Sequence, residues 1–290
     1  MPSIDLISNV VIAGVLTGLV YGLMALGLSV IFGVMRVVNF AHGELMAGAM
    51  YASVIACSAL SLDPFVVLLP ITALFFGLGY LLQDRVINRF MGRPEHTQFL
   101  LLLAIATILL NLQLMGFGPD AQGVQTDYQL DSFELGPILI DSVRLYAAGT
   151  ALLATALLFV FFRFSPMGKA IRACADNPLG AQVIGLPVER LYSLTFGLGS
   201  ACLAIAGCVL VLMVEVTPGI GPAYTLLAFV IVIVGGLGSM AGALVGGVLI
   251  GVSESLAGLL VTPSAKSMIS FALLMAVLLL RPSGLMGKTS

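Results

Sequence analysis

The chain has 290 residues, of which 60% are hydrophobic and 9% are charged, and its formal net charge at pH 7 is −2. Its mean hydropathy is +1.14, whereas only roughly 45–50% of the residues of a soluble globular domain are apolar. This composition excludes an ordinary soluble domain and predicts a polytopic membrane protein. The small net charge carries little information about partners, because it averages over two sides of a membrane.

Apolar runs follow one another along the whole chain, and most are close to the about 20 residues that a membrane-spanning helix needs. Lipid offers the backbone no hydrogen-bond partners, so the runs are expected to be α-helices. They cover residues 9–33, 45–60, 64–82, 98–117, 145–162, 191–214, 225–252 and 267–280. We therefore predict an all-α polytopic membrane protein with about eight transmembrane helices, forming a single transmembrane domain over residues 1–290. The first run has no Lys or Arg before it, which favours a first spanning helix over a cleaved signal.

Small residues punctuate these runs. Gly14, Gly18 and Gly22 recur at four-residue spacing, which is expected to let helix backbones approach closely in lipid. The four cysteines form no C-x-x-C pair and are expected to be buried small hydrophobic residues.

The segment RVVNFAHGE, residues 36–44, gathers polar side chains directly after the first run. If residues 37–60 form a helix that starts at the inner membrane face, Asn39 can cap its free N–H groups. On such a helix Glu44 lies two positions beyond His42 and points about 200° around the axis from it. These two side chains are therefore not expected to form one tight site.

Glu44 within the membrane would cost about 2.5–3.5 kcal/mol if it were unpaired, so we expect a watery cavity or a partner, such as Arg36 or a donor on another helix. Two interpretations remain open. In one, the segment is a capped and ion-paired helix start; in the other, Asn39, His42 and Glu44 line or gate the cytoplasmic exit of a transport pathway. Glu254 raises the same choice, and its place near the outer end of an apolar run favours a pairing role.

Basic residues cluster in two loops, which are therefore expected to face the cytoplasm. The first loop holds Arg85, Arg89 and Arg93, and the second is flanked by Arg163, Lys169, Arg172 and Arg190. Residues 118–143 hold five acidic residues and no Lys or Arg, so this loop is expected outside. Arg281 and Lys288 then place the C-terminus in the cytoplasm, and the N-terminus is expected outside.

An outer loop near Glu215 and an outer turn near Thr262 are expected under this topology, and an even number of passes must separate them. Residues 225–258 must therefore cross the membrane twice. The glycine cluster at residues 235–242 is the expected break. It leaves a first limb of about ten residues, which is too short for the roughly 30 Å hydrocarbon core. We therefore predict a discontinuous or re-entrant helix here. A similar break near residues 31–48 gives a loose internal echo of the kind found in transporters built from repeats.

The polar stretch of residues 165–187 contains two helix starts. Ser165-Pro166 and Asn177-Pro178 each place a capping side chain before a proline, and Gly185 suits the position after a helix end. On the first helix Lys169, Arg172 and Asp176 fall on one face, while Ala170, Ala173 and Cys174 are expected to face elsewhere. The pattern favours two short protruding helices that dock a soluble partner; an unremarkable cytoplasmic loop is the alternative.

Motifs for catalysis and nucleotide binding are absent or out of context. The glycines of residues 235–242 resemble a dinucleotide-binding turn, but no βαβ unit surrounds them, and no phosphate-binding loop occurs. The two histidines, His42 and His96, form no zinc motif. No serine nucleophile has an obvious base. We therefore expect no catalytic activity and no metal or cofactor on this chain.

Four stretches carry a resemblance that runs over nearly the whole chain. NFAHGE (39–44), GKAIRACADNPLGAQVIGLP (168–187), GGLGSMAGALVGGVLIGVSE (235–254) and LLLRPSGLMG (278–287) resemble the permease subunit of branched-chain amino acid ABC importers of the LivH type. The resemblance implies a second homologous permease, two cytoplasmic ATPases that hold ATP and Mg, a periplasmic solute-binding protein and an inner-membrane location. No nucleic-acid partner is implied.

The resemblance also implies roles for loops. Residues 164–190 would be the cytoplasmic coupling loop that meets the ATPases, through Gly168, Lys169, Arg172, Ala173, Asp176, Asn177 and Gly185. This loop is similar to the coupling loop of other importers but lacks its glutamate. The acidic outer loop would form part of the surface presented to the binding protein. Branched-chain amino acids are the substrates that the family implies, with urea, short amides or other amino acids as alternatives. Whether this permease pairs with a homologue or with a second copy of itself stays open. The competing functional class is an ion-coupled secondary transporter or channel acting alone, with Glu44, His42 or Glu254 as a proton or cation relay.

Overall fold

The computed structural model describes residues 4–136, 138–260 and 266–287 of the chain. Within them, seven helices are long and apolar enough to cross a membrane, and two shorter apolar helices accompany them. The all-α polytopic fold is therefore confirmed. The expected eight passes lie between seven, the number of long helices, and nine, the number with the two shorter helices included. The outer turn expected near Thr262 and the basic residue Lys288 lie outside the described residues.

The long helices follow the predicted apolar runs closely. The long helices are α1 (Ile4–Met35), α2 (His42–Leu60), α3 (Pro64–Arg85), α4 (Glu95–Phe117), α5 (Ser142–Phe164), α8 (Val188–Leu210) and α10 (Met240–Leu260). The shorter elements are β1 (Ser132–Leu135), β2 (Ile138–Asp141), α6 (Pro166–Asp176), α7 (Pro178–Val183), α9 (Ile220–Gly235) and α11 (Lys266–Leu280).

Helices α1 and α10 run antiparallel in very close contact along the predicted glycine stripe. A Cβ atom at Gly18 would lie 2.7 Å from the carbonyl oxygen of Gly247, and one at Gly14 would lie 2.8 Å from the Cα of Val252. Gly251 lies in turn against the backbone of Gly14 and Gly18. Helices in lipid are stabilised mainly by van der Waals contact when they associate. Because the facing glycines carry no side chains, the two backbones can approach closely and gain that contact.

Helix α8 lies at the centre of the bundle and packs on α1, α2 and α3. A Cβ atom at Gly27 of α1 would lie 2.7 Å from the carbonyl oxygen of Gly199 in α8. A Cβ atom at Gly207 of α8 would lie 2.9 Å from the carbonyl oxygen of Met46 in α2. The four cysteines are free and buried, as predicted, and two of them belong to α8. Small residues thus draw three helices onto α8 and place the start of α2 inside the protein.

The break between α9 and α10 occurs at residues 236–239, inside the predicted glycine cluster. Gly236 and Gly238 have φ angles of +109° and +77°, which side-chain-bearing residues rarely adopt. Helix α9, however, has 16 residues rather than ten, because it begins at Ile220. The predicted length of this first limb was wrong, whereas the predicted break is present. Pro222 interrupts the apolar run in the sequence, but a proline in the first turn of a helix breaks no hydrogen bond, so the helix extends past it. The C-terminal segment closes this break, with Leu285 and Met286 N–H groups donating to the carbonyls of Val234 and Gly235 at 2.9 Å each.

The two ends of the bundle differ in charge. At one end, called the basic end, lie α6, α7 and the turn after α3 with Arg85, Arg89 and Arg93. The opposite end, called the acidic end, carries residues 118–136 and 138–141, with Asp120, Asp131, Glu134 and Asp141, and a small antiparallel hairpin of β1 and β2. The hairpin was not predicted. The Leu139 N–H donates to Asn9 Oδ1 at 3.0 Å, which fixes the start of α1 at the acidic end.

Candidate functional site

The start of α2 lies deep inside the protein, where His42 and Glu44 are buried. After α1 ends, Arg36 adopts φ +54° and the chain turns back along α1. The His42 ring then donates from Nε2 to the carbonyl oxygen of Met24 at 3.0 Å. Met24 precedes the end of α1 by eleven residues, or about 16 Å along the helix, which is half of the roughly 30 Å hydrocarbon core. The helix expected over residues 37–60 therefore begins only at His42, inside the bundle and well back from the end of α1.

The first turn of α2 is capped by another helix. Asn39 does not cap it, because its Oδ1 accepts from the Ala41 N–H at 3.1 Å in a local turn and the N-cap residue is Ala41. Instead, the Gly43 N–H donates to Thr225 Oγ1 of α9 at 2.8 Å. Thr225 was missed by the sequence-based reasoning, since it lies 182 positions away and belongs to no local capping pattern.

The N-terminal turns of α2 and α9 touch at two glycines. A Cβ atom at Gly43 would overlap the carbonyl oxygen of Gly221 and would lie 2.6 Å from Thr225 Oγ1. A Cβ atom at Gly221 would lie 2.5 Å from both carboxylate oxygens of Glu44. The Glu44 carboxylate therefore lies directly over the first turn of α9, where the partial positive charge of a helix N-terminus favours an anion.

Glu44 lacks the ion-pair partner that was expected. Only 2% of its surface is exposed, while Arg36 is exposed and forms no ion pair with it in the described part of the chain. Its Oε2 atom finds no hydrogen-bond partner among the described residues. His42 points to α1 and Glu44 points to α9, so the two side chains do not form one tight site.

Further polar groups lie around the first turn of α2. Gln113 of α4 donates from Nε2 to the backbone oxygen of Glu44 at 2.9 Å. Polar atoms that are buried and unpaired among the described residues include Asn39 Nδ2, His42 Nδ1, Glu44 Oε2 and Gln113 Oε1. We call Asn39, His42, Glu44, Gln113 and Thr225 the central polar cluster. An unpaired buried polar group costs about 1–3 kcal/mol, so a folded membrane protein that retains four of them is expected to use them for a ligand or a moving part.

Glu254 is separate from the central polar cluster. It lies on α10 beyond Gly251, towards the acidic end, and its Oε1 accepts from Ser270 Oγ of α11 at 2.8 Å. This hydrogen bond joins the last two helices and corresponds to the pairing role that its position favoured.

The predicted helix pair is present with each of its caps. Ser165 Oγ accepts from the Gly168 N–H and Asn177 Oδ1 accepts from the Gly180 N–H, both at 2.9 Å. After α7, Gly185 adopts φ +84°, and the Leu186 N–H donates back to the Ala181 carbonyl at 3.0 Å, which closes the helix end. A Cβ atom at Gly168 would overlap the Phe161 carbonyl, so α6 is seated directly on the end of α5.

The outer surface of the helix pair combines charge and apolar area. Gly168, Ile171 and Cys174 face the bundle, whereas Lys169, Arg172 and Asp176 are exposed. Ala173 is exposed with the charged residues, so its predicted direction was wrong; it follows Lys169 by four positions and shares its face. Large apolar side chains are exposed beside them: Met167, Leu179 at 74%, Val183 at 87% and Ile184 at 72%. A basic and apolar surface beyond the membrane-spanning helices is suited to docking a protein.

Comparison with known proteins identifies the family. Residues 10–278 match the family model described as branched-chain amino acid transport system / permease component. The high-affinity branched-chain amino acid transport system permease protein LivH of Salmonella typhimurium is 32% identical over an alignment that covers 95% of this chain and 94% of the relative. The corresponding protein BraD of Pseudomonas aeruginosa is 27% identical and covers 99% and 98%. The ribose import permease protein RbsC of Bacillus subtilis is also 27% identical, over 72% and 68%. The chain therefore belongs to the family of branched-chain amino acid transport permeases.

Proposed function

We propose that this chain is the permease subunit of an ATP-binding cassette importer that carries branched-chain amino acids or related small polar solutes across the inner membrane. Two partner ATPase subunits would bind ATP and Mg and hydrolyse ATP at the basic end, which would face the cytoplasm. A second homologous permease would complete the pathway, and a solute-binding protein would dock at the acidic end. The observation that carries the proposal is the capped helix pair α6–α7, in a chain of this family.

The helix pair is suited to transmit a movement of the ATPase subunits to the membrane-spanning helices. Its two helices are short, capped and seated on the last turn of α5, so a force applied to them moves the connected helices as a rigid body. Its exposed apolar side chains Leu179 and Val183 would lie in water in the isolated chain. An ATPase surface that covers them would gain the free energy of their burial.

The central polar cluster is the proposed gate of the pathway. A solute that crosses between helices needs polar groups at mid-depth, and Glu44, Asn39 and His42 supply them there. Separation of the Gly43–Gly221 contact would open the first turns of α2 and α9 to a passing solute. Helix N-termini near the bilayer midplane favour the anionic group of a solute, and Glu44 favours its cationic group.

Substitution of the exposed surface tests the docking role. Val183→Asp puts a charge into the proposed interface without disturbing the core, because Val183 is 87% exposed. We expect the ATPase subunits to be lost on purification in mild detergent, together with ATP-dependent leucine uptake. Arg172→Ala and Asp176→Ala are expected to leave ATP hydrolysis in place but to uncouple it from uptake.

Leu130→Asp is the matched control, since Leu130 is 96% exposed at the opposite, acidic end. It should retain the ATPase subunits. If Val183→Asp retains them and transports leucine normally, the docking assignment fails.

A second candidate function rests on the unpaired carboxylate of Glu44. A buried acid at mid-depth is a typical site for a proton or a cation in secondary transporters, which would act alone. Purified chain in liposomes separates the two: leucine uptake driven by an ion gradient without ATPases would support the secondary transporter, and uptake that requires the ATPases and ATP would support the importer.

A further inference from the structure

A cleft of about 500 Å³ opens at the acidic end of the bundle. It lies between the end of α2, the start of α3 and the loop at residues 123–128. Its volume falls within the about 300–1,000 Å³ of small-molecule sites. Neither the central polar cluster nor the helix pair borders it.

The wall of this cleft is polar and carries negative charge. Asp63 is the one charged residue among the lining residues whose side chains the structure describes, and Ser58, Ser61 and Thr126 add hydroxyl groups. Asp63 Oδ1 accepts from the Phe65 N–H at 2.8 Å, as the cap of α3. A carboxylate has a second oxygen with which to accept hydrogen bonds from a ligand.

Tyr128 adds a hydrogen-bond donor to the same wall. Burial raises the pKa of its hydroxyl above the ordinary value, and the neighbouring Asp63 carboxylate raises it further. The phenol therefore keeps its proton at neutral pH. Its oxygen is buried beside the Asp63 carboxylate, so the phenol can donate its hydrogen bond to that carboxylate or to a ligand.

A line of polar residues on α2 leads from the cleft towards Glu44. Glu44, Tyr51 and Ser58 are spaced by seven residues, and a straight helix drifts only about 20° over that interval. Ser58 lines the cleft, and Glu44 lies about 21 Å further along the helix. Between them, Tyr51 is fully buried, stacks on Phe117 of α4 with the ring centroids 4.2 Å apart, and leaves its hydroxyl unpaired among the described residues.

We propose that this cleft is the outer binding site for a solute that carries an ammonium group, with Asp63 as the group that binds the ammonium. The line Ser58, Tyr51 and Glu44 then offers the same cationic group a succession of oxygen acceptors down to mid-depth. The inference rests on the proposed transport function and specifies which end of the solute the permease recognises. A solute without an ammonium group finds no counter-charge in the cleft.

The test measures charge selectivity at the cleft wall, in membranes that contain the full chain. Ser58→Cys, with Cys57→Ser to remove the adjacent thiol, is treated with two thiol reagents of similar size, 2-aminoethyl and 2-sulfonatoethyl methanethiosulfonate. The other three cysteines are buried. We expect the cationic reagent to react faster by about fivefold or more, as one carboxylate a few ångströms away implies. Asp63→Asn keeps the helix cap and should abolish the preference.

Solute protection completes the test. Millimolar leucine should slow the reaction at position 58, and 4-methylpentanoate, which lacks the ammonium group, should not. Protection by leucine should disappear in Asp63→Asn. The control position is Ser132→Cys on β1, which is exposed at the same end but outside the cleft; neither leucine nor Asp63→Asn should change its reactivity.

Equal rates for the two reagents, no reaction at position 58, or protection that survives Asp63→Asn would each overturn the proposal. None of these readouts requires ATP or an ATPase subunit. A site with the expected selectivity in a chain that fails to support ATP-dependent uptake would refute the proposed function alone, and normal uptake with an unselective cleft would refute this inference alone.

Discussion

Substitution of Gly18 by alanine tests whether the contact between α1 and α10 depends on the absence of side chains. The added Cβ atom would lie 2.7 Å from both the carbonyl oxygen of Gly247 and the Cα of Val248. Ordinary contacts between such atoms are about 3.5–4.0 Å. Both atoms belong to the backbone of α10, so they cannot rotate away, and the two helices must separate by most of an ångström.

The expected loss of stability follows from this overlap. Overpacking costs about 1–3 kcal/mol, while alanine gains up to about 1 kcal/mol over glycine within a helix. The net destabilisation should be about 1–2 kcal/mol, which lowers the melting temperature by roughly 2–8 °C at 2–4 °C for each kcal/mol. The melting temperature is measured in detergent from the fraction of chain that stays monodisperse after heating.

Gly149→Ala is the matched control, because Gly149 lies within α5 and no heavy atom lies within 4 Å of its added Cβ. It should keep or raise the melting temperature, since only the gain in helix propensity remains. The packing account of α1 and α10 is refuted if the two substitutions change the melting temperature in the same direction and by the same amount.

Three further substitutions test contacts of the site. Thr225→Val removes the acceptor of the Gly43 N–H and should destabilise the chain by about 1–3 kcal/mol; thermal melting should show the loss, with Thr225→Ser close to the original chain. Ser165→Ala removes the cap of α6, which should cost about 0.5–2 kcal/mol of stability. It should also lower the number of leucine molecules transported for each ATP hydrolysed, whereas Ser165→Asp should not. Ser270→Ala leaves Glu254 without its hydrogen bond and should lower the melting temperature without changing the apparent affinity for leucine; a changed affinity would place Glu254 in the pathway.

The helix pair could be predicted because its determinants are local. Ser165, Asn177 and Gly185 each act within five residues of their own position, and the structure places all three caps as predicted. The apolar runs were equally informative, since a spanning helix must satisfy its backbone internally. Hydropathy and capping rules therefore predict those elements whose stability is decided by neighbouring residues.

The remaining features depend on contacts between distant parts of the chain. Thr225 caps α2 from another helix, and only the fold brings it there. The hairpin of β1 and β2 is four residues long on each strand, too short for an alternating pattern to stand out within an acidic loop. Ala173 was misplaced for a different reason: at four positions beyond Lys169 it lies on the face that the charged residues define, although it is itself apolar.

The position of the polar segment at residues 36–44 also depends on contacts between distant parts of the chain. Basic residues mark a membrane face only where the chain continues away from it, and here the chain turns back at Arg36. The turn lies beside the break between α9 and α10, where a Cβ atom at Gly33 would lie 3.2 Å from the Cα of Gly238. This reversal carries His42 and Glu44 into the interior of the bundle, where an isolated carboxylate would be costly. The first turn of α9 supports it instead, through the positive end of a helix that can approach because residue 221 is glycine. The contact that stabilises the charge of Glu44 is lost as soon as the two helix ends separate. Opening between α2 and α9 would therefore free Glu44 to bind a cationic solute at the moment that the solute arrives.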